Sequence, residues 1–124
     1  MMRLILLIFL SSFSFASCSC EFNSQHLKVT ATAYTSSADE TNSNPTIAAW
    51  GDELKPGMNV IAVSRDLIKL GLEHGTKVTI EGFNKKFIVA DKMNKRWEKK
   101  IDIYMGNDKQ AAKEWGKRKV TICW

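Results

Sequence analysis

The most regular pattern in the chain is a strict alternation over residues 28–35, KVTATAYT, in which Val29, Ala31 and Ala33 face one way and Thr30, Thr32 and Tyr34 the other. A period of two is the mark of a strand buried on one face. Shorter apolar or alternating runs recur at 59–63 (NVIAV), 76–81, 85–90, 101–104 and 119–124. Each is bounded by turn-forming residues, among them Lys55-Pro56-Gly57 and Gly82-Phe83-Asn84, and each predicts a strand. Two segments change period. Residues 65–72 place Leu67, Ile68 and Leu72 on one side behind a Ser64 cap, with Gly75 closing the segment. Residues 108–115 place Ala111, Ala112 and Trp115 on an inner face, with Asn107 as the cap and Gly116 as the stop. Both predict short helices. Residues 36–45 and 92–100 read as loops, the second heavily charged. Six short strands, two short helices, tight turns and no internal repeat predict a mainly β fold, a small barrel with helical insertions.

The first twenty residues, MMRLILLIFLSSFSFASCSC, do not follow that pattern. Arg3 precedes an apolar run over 4–10, and small and polar residues follow. That is the layout of a secretory signal, and the run is too short for a membrane span, which takes about 20 residues. Residues 1–17 are therefore expected to be a signal peptide, 18–27 a tether and 28–124 the folded domain. The protein is expected to be exported, to the periplasm or to the outer membrane and cell envelope. Ser14-Phe15-Ala16 fits ordinary cleavage after Ala16, whereas Phe15-Ala16-Ser17-Cys18 is a loose lipoprotein box with phenylalanine in the usual leucine position. In the second case Cys18 carries the lipid, the one link to a membrane. There are three cysteines, Cys18, Cys20 and Cys123. With Cys18 lipidated, Cys20 and Cys123 are free to form a disulfide, which would stabilise a small domain by roughly 2–4 kcal/mol. Alternatively, Cys123 is an unpaired, half-buried strand residue. No C-x-x-C or H-x-x-x-H spacing suggests a metal.

A chain of 124 residues leaves room for one domain besides a leader. Its net charge of +5 suits an anionic partner, whether wall polymer, membrane surface or nucleic acid. Nucleic acid is the weakest of the three, since no recognition motif for it is present. The candidate chemistry lies in two carboxylates, Asp91 at the end of FIVAD and Asp102 within KIDIY. Partial burial and a second carboxylate both raise a carboxyl pKa, which is what a general acid acting on a glycosidic oxygen requires. The competing reading is that both aspartates cap turns or pair with Lys92, Lys99 or Lys100. His26 and His74 lack ligand spacing and read as surface residues. Lys109, Lys113, Lys117, Arg118 and Lys119 suit a helix C-terminus, and as a cluster they also suit an anionic wall polymer. The four tryptophans, Trp50, Trp97, Trp115 and Trp124, read as core or rim residues, and Trp50, beside Gly51, is the best candidate among them for a sugar platform.

In order and character, the segments VTATAYT, PTIAAWGDELKPGMNVIAVS, GTKVTIEGFNKKFIVADKM and KIDIYMGNDKQAAKEWG resemble the 3D (three-aspartate) domain. The resemblance implies a six-stranded double-psi β-barrel related to the catalytic barrel of membrane-bound lytic transglycosylase A, acting on peptidoglycan glycan strands without a cofactor and as a monomer. It implies that Asp102 is the catalytic acid, that Asp91 tunes it or binds sugar, and that Tyr34, Thr35 and Thr46 line the groove. Two positions depart from the pattern. Ser64 stands where the family commonly has an aspartate, and Asp66, two residues on, is either the third carboxylate or an acidic residue in a helix first turn. The segment Lys92-Met93-Asn94-Lys95-Arg96-Trp97 replaces a glycine-rich turn. Arg96 there is a candidate for a peptide carboxylate and Trp97 for a sugar ring, the alternative being a solvated loop with a packed tryptophan. Two functions stay open at this point: glycan-strand cleavage of the lytic transglycosylase type, and a non-catalytic module that binds cell wall or a protein partner.

Overall fold

The structure, a computed structural model, describes residues 24–36 and 47–124. The expected signal peptide, Cys18, Cys20 and Thr46 lie outside the described residues. The strands are β1 (His26–Tyr34), β2 (Val60–Val63), β3 (Lys77–Ile80), β4 (Lys86–Lys92), β5 (Lys100–Tyr104) and β6 (Arg118–Cys123). They close into one barrel in the order β1-β5-β2-β4-β3-β6. Two of the pairings are parallel, β1 with β5 and β2 with β4, and the other four are antiparallel. A closed six-stranded barrel with two parallel pairs and two helices is consistent with the double-psi arrangement. Closure leaves no sheet edge exposed, so every strand finds its ladder partners within the fold.

The alternation carries directly into packing. Val29, Ile61, Phe87, Val89, Ile101 and Ile122 are each at most 1% exposed and fill the barrel. A smaller apolar cluster, Ala48, Leu54, Val60, Ala90 and Tyr104, lies apart from that core, with Tyr34 against it. Val60 lies next to Ile61 on β2, and Tyr104 next to Ile103 on β5. Their neighbours point into the barrel, so this second cluster covers part of the outer face.

The helices differ from expectation in detail. Helix α1 spans only Arg65–Ile68. The amides of Leu70 and Gly71 bond three residues back, to Leu67 and Ile68, and Gly71 has φ +105°. The segment thus turns off at the glycine instead of running on to Leu72. Ser64 holds the cap position but makes no side-chain cap bond. Helix α2 spans Lys109–Trp115 and is capped by Asp108, not Asn107: Asp108 Oδ1 accepts from the Ala111 amide at 2.9 Å. Strand β1 starts at His26, inside the expected tether, because Gln25 and Trp124 exchange backbone hydrogen bonds of 2.9 and 3.2 Å. Cys123 is 4% exposed and disulfide-bonded, which removes the reading of it as an unpaired strand residue. Its expected partner, Cys20, is not among the described residues.

Gly106 takes φ +60°, and a Cβ there would stand 3.1 Å from Pro56 Cα, while Gly82 takes φ +92° with open space around it. Gly82→Ala should cost only the backbone strain of a left-handed alanine, about 1 kcal/mol. Gly106→Ala should cost about 1–3 kcal/mol more, because the clash is with backbone. Urea unfolding of the two variants, compared with the parent, checks the difference.

Candidate active site on the outer face

Cross-strand register builds the site. On β5, Ile101 and Ile103 point into the barrel, so Asp102 between them points out. Thr32 of β1 and Ala62 of β2 are its two register partners. Ala62 is in turn the partner of Asp91 on β4. One row thus crosses four strands: Thr32, Asp102, Ala62, Asp91. Neighbouring strands lie about 4.8 Å apart, so the aspartate backbones stand roughly 10 Å apart with only the Ala62 methyl between them. The next outward row holds Tyr34 and Tyr104, whose rings lie 5.4 Å apart. The row on the other side holds Thr30 and Lys100.

The two carboxylates are held differently. Asp91 Oδ1 accepts from the amides of Ala49 at 2.7 Å and Lys92 at 2.9 Å. Burial raises its pKa, those two amides pull it down, and the charge of Asp52 adds to the rise; the net shift is upward. Asp102 Oδ1 accepts one hydroxyl bond, from Thr32 Oγ1 at 3.1 Å. Burial pushes the Asp102 pKa up to about 6; Thr32 and the Lys100 charge work against this and the Asp91 charge adds to it. Among the described residues the one ion pair is His74–Asp52, so Lys92 acts on Asp91 and Lys100 on Asp102 at longer range than direct contact. The turn-capping reading keeps some content for Asp91, through its Lys92 amide bond, and none of this kind for Asp102.

Asp102 lines an open hollow of about 370 Å³ together with Ala33, Tyr34, Ala112 and Lys113. The Tyr34 hydroxyl is buried without a hydrogen-bond partner. Burial and then the charges of Asp91, Asp102 and Tyr104 raise its pKa, keeping it a phenol and thus a donor. A second hollow, of about 260 Å³, lies beside Met58, Phe83 and Asp108, and neither Asp91 nor Asp102 lines it.

The remaining expected residues are dispersed. Thr35 is fully buried at the end of β1. Asp66 sits in the first turn of α1, and its Oδ2 accepts from the amide of Lys99, just before β5, at 2.9 Å. Burial raises its pKa, but hydrogen bonds from Ser64, Lys99 and the local backbone outweigh that and leave it lowered. Ser64, where a third aspartate is usual, is fully buried and accepts from the Lys100 amide at 3.0 Å. Both residues thus hold the start of β5, and Asp66 is not in the carboxylate row. Trp97 is 37% exposed, with Lys100 Nζ 3.7 Å and the Arg96 guanidinium 4.8 Å from its ring centre. The ring therefore reaches the site's margin through Lys100. Trp50 is partly buried, with the His74 ring 5.1 Å and Lys92 Nζ 5.6 Å away. His74 is exposed, as its sequence context suggests, but it is engaged by Asp52 and Trp50.

Sequence reasoning missed Thr32 and Ala62; it named Lys113 only as one of a basic cluster, and Lys100 as one of three lysines that could act on the aspartates, which it does on Asp102. The alternation of β1 already put Thr32 on the Tyr34 face; what it lacked was the pairing of β1 with β5.

These features define a class: a small closed β-barrel carrying two carboxylates in one row of its outer face beside an open hollow. Residues 59–124 match the 3D domain, which is more than half of the chain, and the protein belongs to the 3D domain family. That family is associated with peptidoglycan-related barrel domains. No curated protein matches the sequence.

Because the Asp102 pKa lies above the ordinary 3.8, the folded state holds its proton more tightly than the unfolded chain. Stability from this group is fully present below about pH 4 and is lost as pH rises through about 6. An asparagine at this position would carry no charge to bury, and its amide oxygen could still accept from Thr32. Asp102→Asn should therefore be more stable than the parent at pH 7 and above, by on the order of 2 kcal/mol, with the gap closing toward pH 4. Thermal melts of both proteins across pH 4–8 check the sign.

Proposed function

We propose that the protein cleaves peptidoglycan glycan strands by lytic transglycosylase chemistry, with Asp102 as acid and then base. The observation that carries this reading is a carboxyl whose pKa is pushed up to about 6 and which lines an open hollow. A proton held near neutral pH is available to a leaving oxygen, and the hollow gives a sugar bridge access to it.

In the first step Asp102 gives its proton to the oxygen joining N-acetylmuramic acid to N-acetylglucosamine, and the bond from the muramic anomeric carbon to that oxygen breaks. The Asp102 carboxylate then takes the proton of the muramic 6-hydroxyl, whose oxygen bonds to the anomeric carbon. The product is a 1,6-anhydro sugar, the proton is back on Asp102, and no water is consumed. Thr32 orients the carboxyl through its hydroxyl, and the Asp91 charge holds the proton on Asp102 before the first step. Tyr34, Arg96 and Trp97 serve substrate binding at the margins. Export by the N-terminal leader, with or without a lipid on Cys18, brings the protein to its substrate, and it acts as a monomer.

Purified peptidoglycan treated with the protein should release anhydro-muropeptides, identified by mass. The rate should fall as pH rises through about 6, since the first step needs the protonated form. Asp102→Asn should lose turnover by about a hundredfold or more with the fold intact. Reducing-end products would replace this chemistry with ordinary hydrolysis, and wall binding with no product from the parent would leave a binding module.

A further inference from the structure

Among the described residues, one cation lines the hollow beside Asp102, and it is not the one that acts on the acid. Lys100, from the adjoining row, lowers the Asp102 pKa, and Lys113 is absent from the charges that do so. Lys113 nevertheless lines the same hollow. It stands on α2, which is fixed against β1: Trp115 Nε1 donates to the Ala31 carbonyl at 3.2 Å, and Asp108 caps the other end. The two half-buried alanines before it, Ala111 and Ala112, set the helix close to the barrel without bulk, and Lys113 itself is exposed. Lys113 makes no ion pair among the described residues. The other polar group of the hollow without a partner is the Tyr34 hydroxyl, also a donor. Apart from Asp102 itself, then, the hollow presents unspent donors and positive charge.

We propose that Lys113 is a specificity-determining residue that reads an ionised carboxylate on the substrate, carried by the stem peptide next to the bridge that Asp102 attacks. This deepens the proposed function and rests on it for the identity of the substrate. The chemistry follows from charge. An ammonium and a carboxylate attract, and more strongly beside the low-dielectric protein surface than in bulk water. A neutral amide in place of the carboxylate forfeits that attraction. Because Lys113 does not set the Asp102 pKa, its effect falls on binding and leaves the pH dependence of the acid alone.

The test compares glycan fragments whose stem-peptide carboxylates are free with the same fragments amidated. In turnover, the parent should favour the free acids in KM by about fivefold. Lys113→Gln should abolish that preference by raising KM for the free acids, with the pH midpoint unmoved, and Lys113→Arg should keep it. Lys113 is an exposed helix residue, and circular dichroism verifies that both variants fold. The same pair of ligands is titrated calorimetrically into Asp102→Asn and into Asp102→Asn/Lys113→Gln. A preference seen only in the first supports the inference even if no turnover exists, in which case the proposed activity alone fails. An equal response to acid and amide in the parent or in Asp102→Asn, absence of binding included, overturns the inference. So does a pH midpoint that moves with Lys113→Gln.

Discussion

Side chains on a regular strand alternate in direction, and on β4 Phe87 and Val89 both point into the barrel. Unbroken alternation would send Asp91 in after them. An unpaired carboxylate among Ile61, Ile101 and Ile122 would cost several kcal/mol at least. The register of β2 against β4 slips at this point: Ile61 pairs with Val89, but Ala62 pairs with Asp91, leaving Ala90 as the extra residue. That bulge turns Asp91 to the outer face, opposite an outward-pointing Ala62. The core keeps its apolar lining, and the outer face acquires its second carboxylate. The row Thr32, Asp102, Ala62, Asp91 exists only because of this one unpaired residue.

The row then works through what is small in it. Two carboxylates on adjacent strands would repel at close range, whereas two strands of separation leave a weaker, longer-range repulsion. Ala62 stands between them in the row, and the Asp91 charge still raises the Asp102 pKa across two strands. The outer cluster of Val60, Ala90, Tyr104, Ala48 and Leu54 flanks the row and lowers the local dielectric. Burial is accordingly the largest cause of the upward shift on both aspartates.

Much of this was legible in the amino-acid pattern. All six strands were, because a closed barrel has one apolar and one mixed face and each strand must show that contrast. Asp91 and Asp102 stood out as carboxylates among apolar neighbours. Helix α1 was overread because Leu72, although buried, is reached through a glycine turn and not through a further helical turn. Ser64 looked like a helix cap, but its hydroxyl is spent on the Lys100 amide, a partner 36 residues away. The Thr32–Asp102 bond spans 70 residues, and the bulge at Ala90 depends on a register with β2. Pairings of that kind are set by barrel closure, not by local preference, so periodicity along one strand cannot contain them.

Which of the two aspartates keeps its proton follows from what each accepts. Asp91 is bound by two backbone amides, strong donors fixed by the 47–53 loop and by β4 itself. Such donors favour the ionised form and offset much of the cost of burial. Asp102 accepts a single longer hydroxyl bond and is the more deeply desolvated of the two. As pH rises, Asp91 therefore ionises first, and its charge then makes the second ionisation harder. The carboxyl beside the hollow is the one left protonated, and the carboxyl beside the loop supplies the fixed charge. The division of labour comes from hydrogen-bond supply, with the same side chain at both positions.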